Sequence, residues 1–268
     1  MGFLYETHMH TCQGSACGVS TGREHIRRHV EAGYTGIIIT DHFFGGNTAA
    51  PRTGKWTDRV RAFTEGYRDA LEEGERQGLQ VFFGWEQCYG DDEYLVYGLD
   101  EAWLLEHPEI EHCSRGEQLR LVHEGGGCVV QAHPFRWRPR YMHTIRVGRL
   151  FCDAVEVVNG GNPPVQDIYA MAYARQHHLV MTAGSDNHNS WPRSGEVPLF
   201  GVVTQEKLGD VHDYVRLILS GRSPGLHFPR ERLEEDITGQ SLPAPLELTA
   251  DEDVVPMDPL PDIGYKGA

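Results

Sequence analysis

The chain has 268 residues, 40% apolar and 24% charged, enough to bury the core of one large α/β domain or two small ones. A formal net charge of −15 argues against a broad surface for nucleic-acid phosphates or anionic lipid, while still allowing a local phosphate site beside bound cations. With no apolar run near the ~20 residues of a membrane span, no secretory leader pattern and six cysteines lacking a C-x-x-C pair, the reading is a cytoplasmic protein with reduced thiols and no membrane partner.

In chain order, strands are expected at Phe3–His10, Gly36–Thr40, Gln80–Trp85, Tyr94–Tyr97, Cys128–Ala132, Ala154–Val158 and Leu179–Ala183, runs rich in Val, Ile, Phe and Tyr. Helices are expected between or after them. Ser20–Ala32 has a serine cap and Gly33 to end it, and Asp58–Gln77 stops before Gly78. Ser114–Glu124 carries a capping box, Ser114 with Glu117. Pro164–Gln176 and Gly209–Ser220 follow. Strand–helix alternation points to a parallel β/α architecture, barrel or open sheet. The boundaries expected are a body over residues 1–228 and an extended tail over 229–268. The tail holds six prolines and ten Asp/Glu against three Arg/Lys, and is expected to pack on the body or a neighbouring chain.

Ionisable residues recur where these strands end. The first ends Glu6-Thr7-His8-Met9-His10, and the i, i+2 spacing puts both imidazoles on one face. The next ends are Thr40-Asp41-His42, Gly84-Trp85-Glu86 and Gln131-Ala132-His133-Pro134. Then come Glu156-Val157-Val158-Asn159-Gly160 and Gly184-Ser185-Asp186-Asn187-His188, the last repeating the i, i+2 pair. Any one of these is ordinary: a surface histidine, a helix cap, a salt-bridged glutamate. Their repetition at the end where parallel β/α folds gather their sites points to a metal centre. Imidazole plus carboxylate suits Zn²⁺, Mn²⁺ or Fe²⁺, and a carboxylate such as Glu86 can bridge two ions.

The ordered set H-x-H-T, T-D-H, G-x-E, A-H-P, E-x-x-N-G and G-S-D-x-H, from Glu6 to His188, resembles the PHP (polymerase and histidinol phosphatase) family. The resemblance implies a distorted seven-stranded (β/α)7 TIM-like barrel, two or three divalent ions, and hydrolysis of phosphate esters by a metal-activated hydroxide. By it, His8, His10, Glu86 and Asp186 hold a first metal, with Glu86 bridging. His133 serves a second, and His42 and His188 a third. The hydroxide would be held by Glu86, Asp186 and His188. Two departures stand out. Where the family has an Asp or His, five or six residues after H-x-H, this chain has Ser15 and Ala16, with Cys17 just beyond. Where it often has a histidine after the fourth strand, this chain has Gly98-Leu99-Asp100. Either the third metal lacks a ligand or Cys17 substitutes there; Asp100 can ligate the second metal, and reads at least as well as a helix cap. Glu156, Asn159 and Asp41 read as residues that orient neighbours.

For substrate, Arg136 opens the cluster Arg136-Trp137-Arg138-Pro139-Arg140 beside His133, and Arg193 follows His188. Both are expected to contact phosphate. Phe135 and Trp137 suit packing or ring stacking. The expected activity is a phosphomonoesterase acting on a small phosphorylated metabolite or nucleotide. The alternatives are a phosphodiesterase or 3′-exonuclease on nucleotides, and a non-catalytic, metal-stabilised scaffold. An amidohydrolase is disfavoured, because Lys55, Lys207 and Lys266 leave no lysine at a mid-barrel strand end. Stable nucleic-acid binding is not expected, and oligomeric state is open.

Overall fold

The computed structural model describes residues 2–140, 142–190, 200–234, 242, 244, 246–250 and 253–256. Its elements, in order, are β1 (Phe3–Glu6), α1 (Gly22–Glu31), β2 (Gly36–Ile39), α2 (Trp56–Phe63), α3 (Glu65–Gln77), β3 (Gln80–Cys88) and β4 (Glu93–Tyr97). They continue with α4 (Glu101–Glu106), α5 (Arg115–Glu124), β5 (Cys128–Ala132), β6 (Ile145–Val147), β7 (Ala154–Asn159), α6 (Pro164–Gln176) and β8 (Val180–Gly184). Last come β9 (Gly201–Thr204), α7 (Val211–Leu219), β10 (Gly225–His227), β11 (Leu246–Ala250) and β12 (Asp253–Pro256).

Nine strands form one sheet, in the order β10-β9-β1-β2-β3-β4-β5-β7-β8. It curls until it nearly closes. The backbone just past β8 meets the backbone just past β1: Met9 bridges Asn187 in parallel register, His10 N–H donates to Asn187 O at 2.9 Å, and Asp186 N–H donates to His8 O at 2.8 Å. At the opposite end, β9 pairs antiparallel with β1, Phe3 facing Thr204 and Tyr5 facing Val202. The sheet thus has nine strands where seven were expected, because β9 and β10 add a short antiparallel flap.

β4 also departs from the parallel expectation. It runs antiparallel to both β3 and β5. The reason is the connection from β3: only Tyr89–Asp92 separates the strands, with Tyr89 N–H donating to Asp92 O at 2.9 Å. So short a link makes a hairpin, since a parallel crossover needs a dozen or more residues.

The helices follow their end signals with two shifts. Thr21, not Ser20, caps α1, in a capping box with Glu24. The long helix expected over 58–77 is two, divided at Thr64, and α3 ends at Gly78 in the left-handed conformation (φ 77°). Ser114 and Glu117 form the expected box on α5. Apolar side chains fill the interior and the layer under the helices. Trp85, Phe43, Phe63 and Val129 pack in one cluster, and Val155, Val157, Ile168 and Tyr173 in another.

Past residue 229, Arg232 donates to Asp167 Oδ2 at 2.5 Å and to the carbonyls of Asn159 and Asn162 at 2.6 and 2.5 Å. Leu233 and Leu246 join the second cluster. β11 pairs with β6 in parallel and with β12 antiparallel. No helix among the described residues is long and apolar enough to cross a membrane.

Candidate metal centre

At the end where β1 meets β8, seven side chains singled out from the sequence converge: His8, His10, His42, Glu86, His133, Asp186 and His188. His8 and His10 face each other Nε2 to Nε2 at 3.2 Å. Around them, Glu86 Oε1 lies 3.3 Å from His8 Nε2, and Asp186 Oδ1 lies 3.0 Å from His10 Nε2. Glu86 stands at the centre: its Oε2 is 2.7 Å from His42 Nδ1, and its Oε1 is 3.1 Å from His133 Nε2. The rings of His42 and His188 each lie 4.3 Å from that of His10 between centroids and 6.3 Å from each other, so the three form a triangle. Three groupings able to hold an ion draw on these seven alone: His8, His10 and Glu86; His8, His133 and Asp186; and His10, His42 and His188.

The supporting shell fixes which nitrogens face inward. His8 Nδ1 is 3.0 Å from Glu156 Oε1, so its proton is committed there and Nε2 is left for a cation. The other Glu156 oxygen accepts from His133 N–H at 3.1 Å and from Asn159 Nδ2 at 2.8 Å. Ser15 does the same for His10. Its hydroxyl donates to Asp41 Oδ1 at 2.7 Å, so the oxygen accepts from His10 Nδ1 at 3.1 Å and from His42 N–H at 2.9 Å. Asp41 is held in turn by the Thr11 amide and hydroxyl, both at 2.7 Å. Gly184 is required by this packing, since a Cβ there would sit 2.5 Å from His8 Cβ and 2.6 Å from Glu156 Oε1. His133 (φ 28°) and Asp186 (φ 53°) both take left-handed backbone, a strain that persists where surroundings over-determine it.

The electrostatics ask for cations. Burial by itself would raise the Glu86 carboxyl, but His42 and His8 hold it well below the ordinary range. Burial opposes ionisation of Asp186 too, and Arg136 and His8 outweigh it. Burial likewise lowers His8 and His42, yet the carboxylates beside them drive both well above their ordinary value. His10 goes the other way, kept neutral by burial and by His42 and His188. Two buried atoms test the fit to metal directly. Glu86 Oε2 and His42 Nδ1, 2.7 Å apart, are not aligned for a hydrogen bond with each other or with any other described group. An ion shared between them would account for so short an approach. The donor set of imidazoles and carboxylates suits divalent zinc, manganese or iron.

Two residues outside the expected seven complete the ring. Glu93 lies 3.4 Å from His133 Nε2 and groups with His42 and Glu86. It was missed because β4 was read as parallel. Antiparallel, the strand brings its first residue to the metal end and carries Asp100 to the other, where Asp100 caps α4 by accepting from Trp103 N–H at 2.8 Å. The four-residue link before Glu93 was the signal that could have found it. Cys17 is the second: its Sγ lies 3.1 Å from His188 Nε2. Burial pushes this thiol up, but hydrogen bonds with His188 and His42 bring it down to about 6.

Arg136 is not a free phosphate fork. Its Nη2 lies 2.6 Å from Asp186 Oδ2 and donates to Asn159 Oδ1 at 2.7 Å, and its Nε donates to Asn162 Oδ1 at 2.9 Å. It aims Asp186 at the cluster. Phe135 is buried against Tyr169 and Tyr173, so it packs instead of stacking on a ligand. Arg193 lies outside the described residues.

No family model matches the chain. Among solved structures it resembles a two-domain protein of Bacteroides vulgatus containing a predicted PHP-like metal-dependent phosphoesterase. The TM-score is 0.56 at 15% identity, over 86% of this chain and 66% of that one. PsfC of Pseudomonas syringae gives 0.55 at 15% identity, over 87% and 93%. A candidate metal-dependent phosphoesterase of Bifidobacterium adolescentis gives 0.50 at 19% identity, over 81% and 96%. The fold is therefore that of the PHP-like phosphoesterases, as the motif order anticipated. In sequence, the 5′-3′ exoribonuclease Rnm of Escherichia coli K12 is 33% identical over 84 residues. That match spans 30% of this chain and 29% of the relative's length.

Proposed function

We propose that the chain is a metal-dependent phosphoesterase that hydrolyses a phosphate monoester of a small metabolite or nucleotide. The observation that carries this is the 2.7 Å approach of Glu86 Oε2 to His42 Nδ1, without an aligned hydrogen bond, within a ring of imidazoles and carboxylates. Two or three divalent ions (Zn, Mn or Fe) would supply positive charge for the phosphoryl oxygens and lower the pKa of an attacking water.

The chain's own residues do the rest. His8, His10, Glu86 and Asp186 would hold one ion and His133 a second, with Glu86 serving both; His42 and His188 would hold a third. Glu156 and the Ser15–Asp41 pair keep the His8 and His10 rings in one orientation, so little reorganisation is needed during reaction. Arg136 holds Asp186 ionised and oriented, and would add positive charge beside the ions. Glu86, Asp186 and His188 would hold the water that the ions activate.

A second reading, phosphodiester cleavage of nucleotides, is favoured by the local match to an exoribonuclease. The test is metal content by plasma mass spectrometry alongside turnover of p-nitrophenyl phosphate, bis-p-nitrophenyl phosphate and a dinucleotide. Bound metal with chelator-sensitive monoester turnover supports the first reading, and faster diester turnover supports the second. Metal-dependent melting without turnover of any of the three would replace both with a scaffold role.

A further inference from the structure

The metal end is chemically uneven. On one side stand Glu86 and Glu93 with His133, a corner rich in hard oxygen donors. On the other stand His10, His42 and His188 with a thiol; Glu86 reaches this corner at His42 (2.7 Å) and Asp186 borders His188 (3.6 Å), so the sulfur is what sets it apart. The thiol is Cys17, carried by the loop between β1 and α1. That loop is pinned from several directions. Ser15 N–H donates to Thr11 O at 2.9 Å, Ala16 N–H to Asn47 O at 2.8 Å, and Val19 N–H to His188 O at 2.8 Å. The last bond ties the cysteine's loop to the backbone of the histidine it touches.

We propose that Cys17 is a metal ligand, a thiolate that joins His42 and His188 around the third ion and makes that position selective for zinc-class ions over manganese or magnesium. This rests on the metal-centre reading above. Three observations carry it. Cys17 Sγ is 3.1 Å from His188 Nε2, close to the about 3.5 Å between neighbouring sulfur and nitrogen ligands that metal–sulfur bonds near 2.3 Å and metal–nitrogen bonds near 2.0 Å imply. His42 also reaches the sulfur, so two imidazoles converge on it. And His42, 9% exposed, turns Nδ1 to Glu86 Oε2 at 2.7 Å, so its ring links the sulfur corner to the shared carboxylate. Soft sulfur favours zinc-class ions, whereas oxygen-rich positions accept manganese and magnesium. The two corners would then prefer different ions, and a single metal supplied in excess would not fill the protein evenly.

The test uses cobalt(II) as a spectroscopic stand-in for zinc on the full-length protein. A thiolate ligand gives an intense near-ultraviolet sulfur-to-cobalt charge-transfer band, distinct from the weak visible bands of cobalt held by nitrogen and oxygen. The expected result is that band in the unmodified protein, its loss in Cys17→Ser, and its retention in Cys88→Ser. The affinity of one cobalt should fall more than about tenfold in Cys17→Ser, exceeding the lower bound for losing an outer partner of a ligand. X-ray absorption at the zinc edge of the unmodified protein should show a sulfur scatterer near about 2.3 Å, a measurement that does not need the variant to fold. Cobalt bound with visible bands but no charge-transfer band overturns the role of Cys17 and leaves the metal centre standing. No cobalt bound at all overturns both.

Discussion

Replacing Glu156 by glutamine isolates what the supporting shell contributes. The substitution is nearly isosteric, and the amide oxygen can still accept from His8 Nδ1, now 3.0 Å from the carboxylate. What disappears is a full negative charge, buried beside His8, that makes the imidazole a stronger donor through Nε2. One of the two oxygens also becomes an NH₂, which faces the His133 N–H or the Asn159 amide where an acceptor stood at 3.1 and 2.8 Å. Loss of such an outer partner weakens metal binding by roughly 10- to 100-fold, about 1.4–2.7 kcal/mol. Since Glu156 supports both His8 and the turn at His133, the expectation lies toward the upper end. The assay is competition for zinc against a chelator of known affinity, with monoester turnover at saturating metal as companion. Turnover should return largely as metal is added back, because the direct ligands are intact. An affinity within twofold of the unmodified protein would refute the claim that Glu156 tunes the centre.

Four further expectations concern other parts of the ring. Glu86→Ala should lose bound metal and activity together, since one carboxylate faces four imidazoles; a variant that keeps both sinks the site assignment. Arg136→Ala breaks a partly buried ion pair with Asp186 and should cost about 3 kcal/mol in urea unfolding, besides weakening metal binding. A change confined to KM would return Arg136 to a purely substrate-binding role. Glu93→Gln should lower metal content, whereas Asp100→Ala should leave it unchanged and cost only about 1 kcal/mol of stability as a lost helix cap; the reverse pattern would show β4 misread. Finally, His25 is fully buried and burial brings it down to about 3. The unfolded chain, with its ordinary value near 6.5, therefore binds this proton first as pH falls, and stability declines below pH about 6.5. Between pH about 7 and about 5.5 this one group costs about 1.3 kcal/mol. In metal-free protein, His25→Gln should show that much less pH dependence, and an unchanged slope would mean that His25 is protonated in the fold.

Much of the site was legible because its chemistry is local in sequence. His8 and His10, or Asp186 and His188, are two apart, and a strand end forces such pairs to one side whatever the rest of the fold does. The expected strands fell on β1 to β5, β7 and β8 because each is an apolar run bounded by turn residues. The short pieces β6, β9 and β10 went unread. Each has three or four residues, and each is ordered by its neighbours and not by its own composition. Strand direction was the costly omission. Nothing in Tyr94–Tyr97 itself says which way it runs, and only the length of the link before it does. Taking that strand as parallel placed Asp100 at the metal end and hid Glu93. Arg136 shows another limit: a basic residue beside a metal motif reads as a substrate contact, while its partner Asp186 lies fifty positions away and only the closed fold brings them together.

The seam where the sheet closes has a consequence for how the protein matures. His8 and His10 follow β1, and Asp186 and His188 follow β8, some 180 residues further along the chain. Their backbones are stitched together at Met9 and Asn187. A nascent chain that has made β1 to β7 still lacks Asp186 and His188. If the proposed centre takes metal, the complete ring forms only once β8 has joined β1, and an ion would then act less as a folding template than as a clasp.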